Sequence, residues 1–332
     1  MADLQIQKQK DNLILAIVKV ARPIHWIKNL SLFAALFLSG IMFEKGLFAL
    51  TFQAFIAFCF ASSATYVFND LLDVKRDRLH PRKRFRPIAS GVLPTKVAVI
   101  EAIVLAGGAL VVSASVNSLL LFLIIIYMVI QFFYSLGLKN IAIVDIVIIA
   151  SGFVMRVYAG AFVVNAHLSV WFLLCVISVA LFLASGKRRA ELNLVGEDNP
   201  ITRKSLGKYK KELLNSYVTM FASASWMSWS LFTFFESPKA TLPFWLVLAE
   251  VSRTTTIDKL LMLTIPVTIF GIMRYESLIF ENRSETPERL LLTDKSLIIS
   301  IVLWVALVFW VLYSGISMTG ISYLLLQFPT LG

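Results

Sequence analysis

Charge is scarce in this sequence. Only 15% of its 332 residues are Asp, Glu, Lys or Arg, against roughly 25% in soluble domains, and that shortage excludes an ordinary water-soluble fold. Cysteine is nearly absent: Cys59 and Cys175 both lie inside apolar blocks, so neither a disulfide framework nor a cysteine metal site is available, and redox chemistry is not expected. The three histidines, His25, His80 and His167, have no ligand spacing and read as surface or capping residues. Also missing is a short apolar core followed by a small-residue cleavage site near the N-terminus. Met1 to Asn29 is therefore not expected to be a removable signal peptide.

What the sequence does have is apolar length. It is 58% hydrophobic with mean hydropathy +0.80, and the apolar residues fall in blocks long enough for the roughly 20-residue helix that crosses a bilayer. The fold class expected is an all-α membrane protein with about nine transmembrane helices, near 26–43, 46–68, 95–115, 118–136, 142–163, 167–185, 213–236, 256–280 and 295–315. Residues 237–255, broken by Pro238 and Pro243, suit a short interfacial helix at most. The division expected is an N-terminal segment 1–25, one membrane domain 26–315 and a tail 316–332.

A net charge of +11 would suggest a nucleic-acid partner in a soluble chain, but in a membrane protein Lys and Arg gather in cytoplasmic loops. With these spans, 26 of the 31 cations fall on one face. That predicts a cytoplasmic N-terminus, a non-cytoplasmic C-terminus, a bilayer as the environment and no nucleic-acid partner.

The end of the second span reads Tyr66-Val-Phe-Asn69-Asp70-Leu-Leu-Asp73-Val-Lys-Arg-Asp77. At 100° per residue, with Asp70 at 0°, Asp73 lies at about −60°, Asp77 at −20°, Asn69 at −100° and Tyr66 at −40°, all on one face. Carboxylates this close repel one another, and a bound cation would relieve them. Oxygen-only donors favour Mg²⁺ or Ca²⁺, and Mg²⁺ suits a diphosphate because it shares its shell with phosphate oxygens. The simpler reading is a solvated helix end neutralised by Lys75 and Arg76.

The loop that follows carries Arg82, Lys83, Arg84 and Arg86. Alone it would be a topology signal; beside three carboxylates it reads as the other half of an anion site, since guanidinium groups bind phosphate bidentately. Further along, Asp145 and Arg156 are eleven residues apart, so they face one direction about 16.5 Å apart. An ionisable side chain inside a span is by default a functional candidate, the alternative being a buried pair that holds helices together. The Lys-rich stretch 197–212 reads as a solvated linker or a flap over the site.

These motifs resemble those of a known family. Asn69-Asp70-x-x-Asp73-x-x-x-Asp77 at the end of a second span is similar to the first aspartate-rich motif of the UbiA superfamily of intramembrane prenyltransferases, which hold a diphosphate through Mg²⁺. The second aspartate motif of that superfamily is missing: the sixth-to-seventh connection reads Lys187-Arg188-Arg189-Ala190-Glu191-Leu192. Together with Arg22-Pro23-x-x-Trp26-x-Lys28-Asn29, Arg86-Pro87-Ile88-Ala89-x-Gly91 and Tyr134-Ser-x-x-Leu138-Lys139, this resembles the decaprenyl-phosphate phosphoribosyltransferase branch.

That resemblance implies transfer of the 5-phosphoribosyl group from phosphoribosyl pyrophosphate to a polyprenyl phosphate, toward a lipid-linked arabinose donor. It implies Mg²⁺ on Asp70, Asp73 and Asp77, with Asn69 on the metal or a ribose hydroxyl and Tyr66 lining the same face. Substrate contacts would come from Lys28, Arg82, Lys83, Arg84, Arg86, Tyr134, Lys139, Asp145, Arg156, Lys187, Arg188 and Glu191. Lys187 and Glu191, at i and i+4, can position one another. Two rivals remain at this point: prenyl transfer to an aromatic acceptor, and a transporter, which would be expected to show internal repeats and a midplane site. Self-association into a homo-oligomer is left open.

Overall fold

The structure is a computed structural model that describes residues 13–80, 83–195, 206–236, 257–281, 290 and 292–326, and among these there is helix and no strand. A short helix α1 (13–21) packs Ala16 and Val20 in a cluster with Val67, Ile88, Leu93 and Ala98. The first crossing segment departs from the α-helix expected over 26–43. It is a 3₁₀-helix, Pro23–Leu32, continued by α2, Phe33–Leu38. Ten residues at about 2.0 Å and six at about 1.5 Å together reach close to the ~30 Å of the hydrocarbon core.

The cause of that departure is packing. A Cβ on Gly160 would sit 1.9 Å from the Leu32 carbonyl oxygen, so the two backbones touch where glycine leaves room. Irregular backbone survives at membrane depth where protein shields it. Here Leu32, Leu36, Phe58, Ala61, Ile124 and Ala159 form that shield.

Helix α3 (Leu47–Leu79) has 33 residues, about 50 Å of helix, well beyond the ~30 Å hydrocarbon thickness. Its last turns therefore carry Asn69 to Asp77 to the membrane boundary. It stops at His80, which is extended at ψ 133°, as expected of a residue before proline. Helices α4 (Thr95–Val116) and α5 (Ser118–Leu136) meet at Asn117, whose side chain caps Leu120 N at 2.7 Å.

The remaining helices are α6 (Val144–Val164), α7 (Val170–Val195), α8 (Lys211–Phe235), α9 (Ile265–Phe280) and α10 (Lys295–Leu326). A 3₁₀ stretch, Ile257–Thr264, leads into α9. Helix α3 packs on α4, α5 and α6, α7 on α6 and α8, and α9 on α10.

Among the described residues seven segments are long and apolar enough to cross a membrane. The other two expected spans correspond to Pro23–Leu38 and to the more polar α8. Helix α10 runs past residue 315 to Leu326, and residues 237–255 lie outside the described part. The ends of α3, α5, α7 and the starts of α6 and α8 gather at one end of the bundle, as the contacts below require.

Candidate active site

On the boundary turns of α3, each acid meets a cation from outside the helix. Asp70 Oδ1 accepts from Arg22 Nη2 at 2.5 Å and from Arg86 Nη1 at 3.0 Å, and the same Arg86 nitrogen donates to Asp77 Oδ2 at 2.7 Å. Lys139 Nζ, in the 3₁₀ turn between α5 and α6, donates to Asp73 Oδ2 at 2.7 Å and Asn69 Oδ1 at 3.0 Å. Asp70, Asp77 and Lys139 are each only 3% exposed. Charges that deep persist only when paired and hydrogen-bonded.

Arg22 is aimed by its backbone. It sits in the left-handed region at φ 55° directly before Pro23, and its guanidinium also stacks over the Tyr66 ring at 5.0 Å. Tyr66 in turn packs on the His25 ring at 5.2 Å. In the loop after α3, Arg78 Nε ties to the Ala89 carbonyl at 3.1 Å and Arg84 lies over Phe85. A turn through Gly91 at φ 83°, closed by Leu93 N to the Pro87 carbonyl at 2.9 Å, holds Arg86 against the acids. Lys83 N–H donates to His80 Nδ1; Arg82 lies outside the described residues.

The proposed ligands Asp70, Asp73, Asp77 and Asn69 share a helix face but divide among three cations, Arg22, Arg86 and Lys139. Among the described residues no three acidic, histidine or cysteine side chains converge as a ready-made metal cage. The repulsion that argued for a metal is relieved by internal cations. The donor chemistry still fits Mg²⁺, which takes one or two carboxylates and fills its octahedron with water and phosphate oxygens; Asp70 and Asp73, one turn apart, could supply that pair.

A second cluster lies at the end of α7. Arg188 is 1% exposed; it donates to the Glu191 carboxylate through Nη1 and to the Tyr134 hydroxyl through Nη2 at 3.1 Å. Its Nε is 2.7 Å from Asp145 Oδ2, but the N–H is not aimed at that oxygen and makes no hydrogen bond. Tyr209, just before α8, donates to Asp145 Oδ1 at 2.7 Å and accepts from Ile143 N–H at 2.5 Å. Burial, and then the bond to Asp145, push the Tyr209 phenol above its ordinary range. Arg189 turns away, to Asn215 and the Phe280 ring. Lys28 and Lys187 are half-buried, in the 3₁₀ segment and on α7 respectively.

Arg156, expected as a substrate contact alongside Asp145, belongs to neither cluster. It is 5% exposed and its nitrogens go to Asn29 Oδ1 at 2.6 Å, the Gly152 carbonyl and the Tyr127 hydroxyl at 3.0 Å. It braces the first segment against α5 and α6. Two residues of the clusters were absent from the expected set: Arg22, whose Arg-Pro step was the available signal, and Tyr209, for which the sequence carries none.

The model of the UbiA prenyltransferase family matches residues 30–255. The chain belongs to the UbiA prenyltransferase family. This UbiA chain is 36% identical to a decaprenyl-phosphate phosphoribosyltransferase of Mycolicibacterium smegmatis, covering 89% of the chain and 91% of the relative. It is 35% identical to the protein of that name from Corynebacterium glutamicum, covering 91% and 88%. A UbiA homologue from Archaeoglobus fulgidus bound to GPP and Mg²⁺ shares the fold, with TM-score 0.66 and 17% identity over 90% of this chain and 99% of that one.

Proposed function

We propose that this UbiA-family chain transfers the 5-phosphoribosyl group of phosphoribosyl pyrophosphate to a polyprenyl phosphate and releases pyrophosphate. The observation that carries this reading is the identity, near 35% over about nine-tenths of the chain, to proteins named for that activity. The site supports it. Where a second acid pair would serve a prenyl diphosphate, α7 carries the cations Lys187 and Arg188, which suit a substrate with an additional phosphate.

In the reaction proposed, the bond from ribose C1 to pyrophosphate oxygen breaks, and one forms from C1 to an oxygen of the lipid phosphate. A phosphate monoester is largely ionised at neutral pH, so the acceptor needs no general base. Asp70 and Asp73 would hold Mg²⁺, whose Lewis acidity stabilises charge on the leaving pyrophosphate. Arg22, Arg86 and Lys139 hold the carboxylates in place and lie within reach of phosphate oxygens. Arg188, fixed by Glu191 and Tyr134, sets a further cation beside Asp145 at the end of α7. The concentration of cations on one face supports placing this site at the cytoplasmic side of the inner membrane.

The test is direct. Purified protein with Mg²⁺ and radiolabelled phosphoribosyl pyrophosphate should yield lipid-soluble label only when polyprenyl phosphate is added. The family itself favours a second reading, prenyl transfer from a prenyl diphosphate to an aromatic acceptor; label in an aromatic product, with none from phosphoribosyl pyrophosphate, would establish that reading in place of the first.

A further inference from the structure

We infer that Tyr209 is a positioning residue that sets both cationic arms of this site through one hydroxyl. The inference rests on the reading that Lys139 and Arg188 face substrate phosphates. Tyr209 is 4% exposed, its ring packed with Ile146, Ala184, Leu192 and Leu214. Its hydroxyl is engaged on two sides, donating to Asp145 Oδ1 and accepting from Ile143 N–H. A phenol has one proton to give, and it is spent on Asp145, so Tyr209 acts through its neighbours.

Those neighbours lead to the two arms. Asp145 is 0% exposed. Its Oδ1 is held by the phenol, and its Oδ2 faces Arg188 Nε, 2.7 Å away. The hydroxyl thereby sets the rotation of the carboxylate that faces the guanidinium. On the other side, Ile143 lies at φ 70°, ψ −49°. A β-branched side chain rarely adopts positive φ, and such strain persists only where surrounding contacts over-determine it. The Tyr209 hydroxyl is the contact on that residue's own N–H. Four residues upstream, Lys139 reaches Asp73 and Asn69. Were Ile143 to relax, the turn that carries Lys139 would move with it. A phenol is neutral at pH 7, so the donor to Asp145 is present at physiological pH.

The experiment compares steady-state kinetics of the full chain and its Tyr209→Phe variant, with wild-type turnover of phosphoribosyl pyrophosphate measured first. Tyr209→Phe should raise KM for the pyrophosphate donor about tenfold, the scale seen when a residue supporting a ligand is removed, with a smaller change in kcat. Asp145→Asn should raise the same KM, and the two changes together should cost little more than the larger one alone, because they act on one network. Ile143→Gly in the Tyr209→Phe background should recover part of the loss, since glycine holds positive φ without the clamp. If Tyr209→Phe alone does not fold, this double variant carries the test. Wild-type KM in either, or effects of Tyr209→Phe and Asp145→Asn that multiply, would overturn the inference. A wild type that turns over only a prenyl diphosphate would instead refute the proposed reaction, and the same KM comparison on that donor would then test Tyr209 by itself.

Discussion

Lys139 and Asp73, 66 residues apart in the chain, meet at 2.7 Å between Nζ and Oδ2 at the membrane boundary. The lysine is 3% exposed and occupies the position of a cation that the acids of α3 require. Breaking a buried pair by removing one partner costs about 3–5 kcal/mol, less where one partner retains some water. With the Asp73 side chain 19% exposed, Lys139→Met is expected to destabilise the protein by about 2 kcal/mol and to lower kcat/KM at least tenfold. Thermal unfolding in detergent and a transfer assay check the two effects separately.

Arg86 bridges Asp70 and Asp77 through one nitrogen. Arg86→Ala leaves two carboxylates of one helix face without their shared partner. Because the arginine side chain is 26% exposed, the cost to stability is expected to be about 1–2 kcal/mol, below the range for a fully buried pair. Thermal unfolding of the variant measures it.

Gly160 is where the first segment and α6 touch. A methyl there would overlap the Leu32 carbonyl, so Gly160→Ala should cost about 3 kcal/mol, the upper end for overpacking, and loosen the Asn29–Arg156 bond. Gly107 has nothing within 4 Å of an added Cβ. Gly107→Ala should be neutral or stabilising by about 0.5–1 kcal/mol. Equal losses at the two positions in thermal unfolding would contradict this account of the 3₁₀ segment.

The raised phenol of Tyr209 has a pH signature. The folded state favours the neutral hydroxyl, so its contribution is fully present below the unfolded phenol pKa of about 10 and is lost as pH rises above that value. Wild-type stability should fall above pH about 10 more steeply than that of Tyr209→Phe, as read from unfolding temperature against pH.

Metal dependence follows from the oxygen-only donors of α3. Chelation should stop transfer, added Mg²⁺ should restore it, and Asp73→Asn should abolish turnover while the protein still folds. An active Asp73→Asn enzyme would remove the metal from the account.

Much of this was legible in the sequence, and the residues show why the rest was not. Apolar runs gave the helices, and the period of 3.6 placed Asn69, Asp70, Asp73 and Asp77 on one face of α3, where they lie. The 3₁₀ form of Pro23–Leu32 was hidden because it depends on a glycine in α6 far along the chain. Helical geometry also gave the direction of Arg156 but could not say that Asn29 and Tyr127 wait there. The internal partners of the acids, Arg22, Arg86 and Lys139, were not legible because they arrive from three separate segments. Tyr209 was invisible for the same reason: its partners are 64 and 66 residues away, and only the packing of α8 on α7 and of α7 on α6 brings them together.

The central claim is the identity of the donor and acceptor. It is tested most directly by incubating the purified protein with Mg²⁺ and labelled phosphoribosyl pyrophosphate, with and without polyprenyl phosphate, and extracting the lipid. The account predicts label in the lipid phase only when both substrates are present, with one pyrophosphate released per ribosyl group transferred. No labelled lipid from an enzyme that instead prenylates an aromatic acceptor would contradict it.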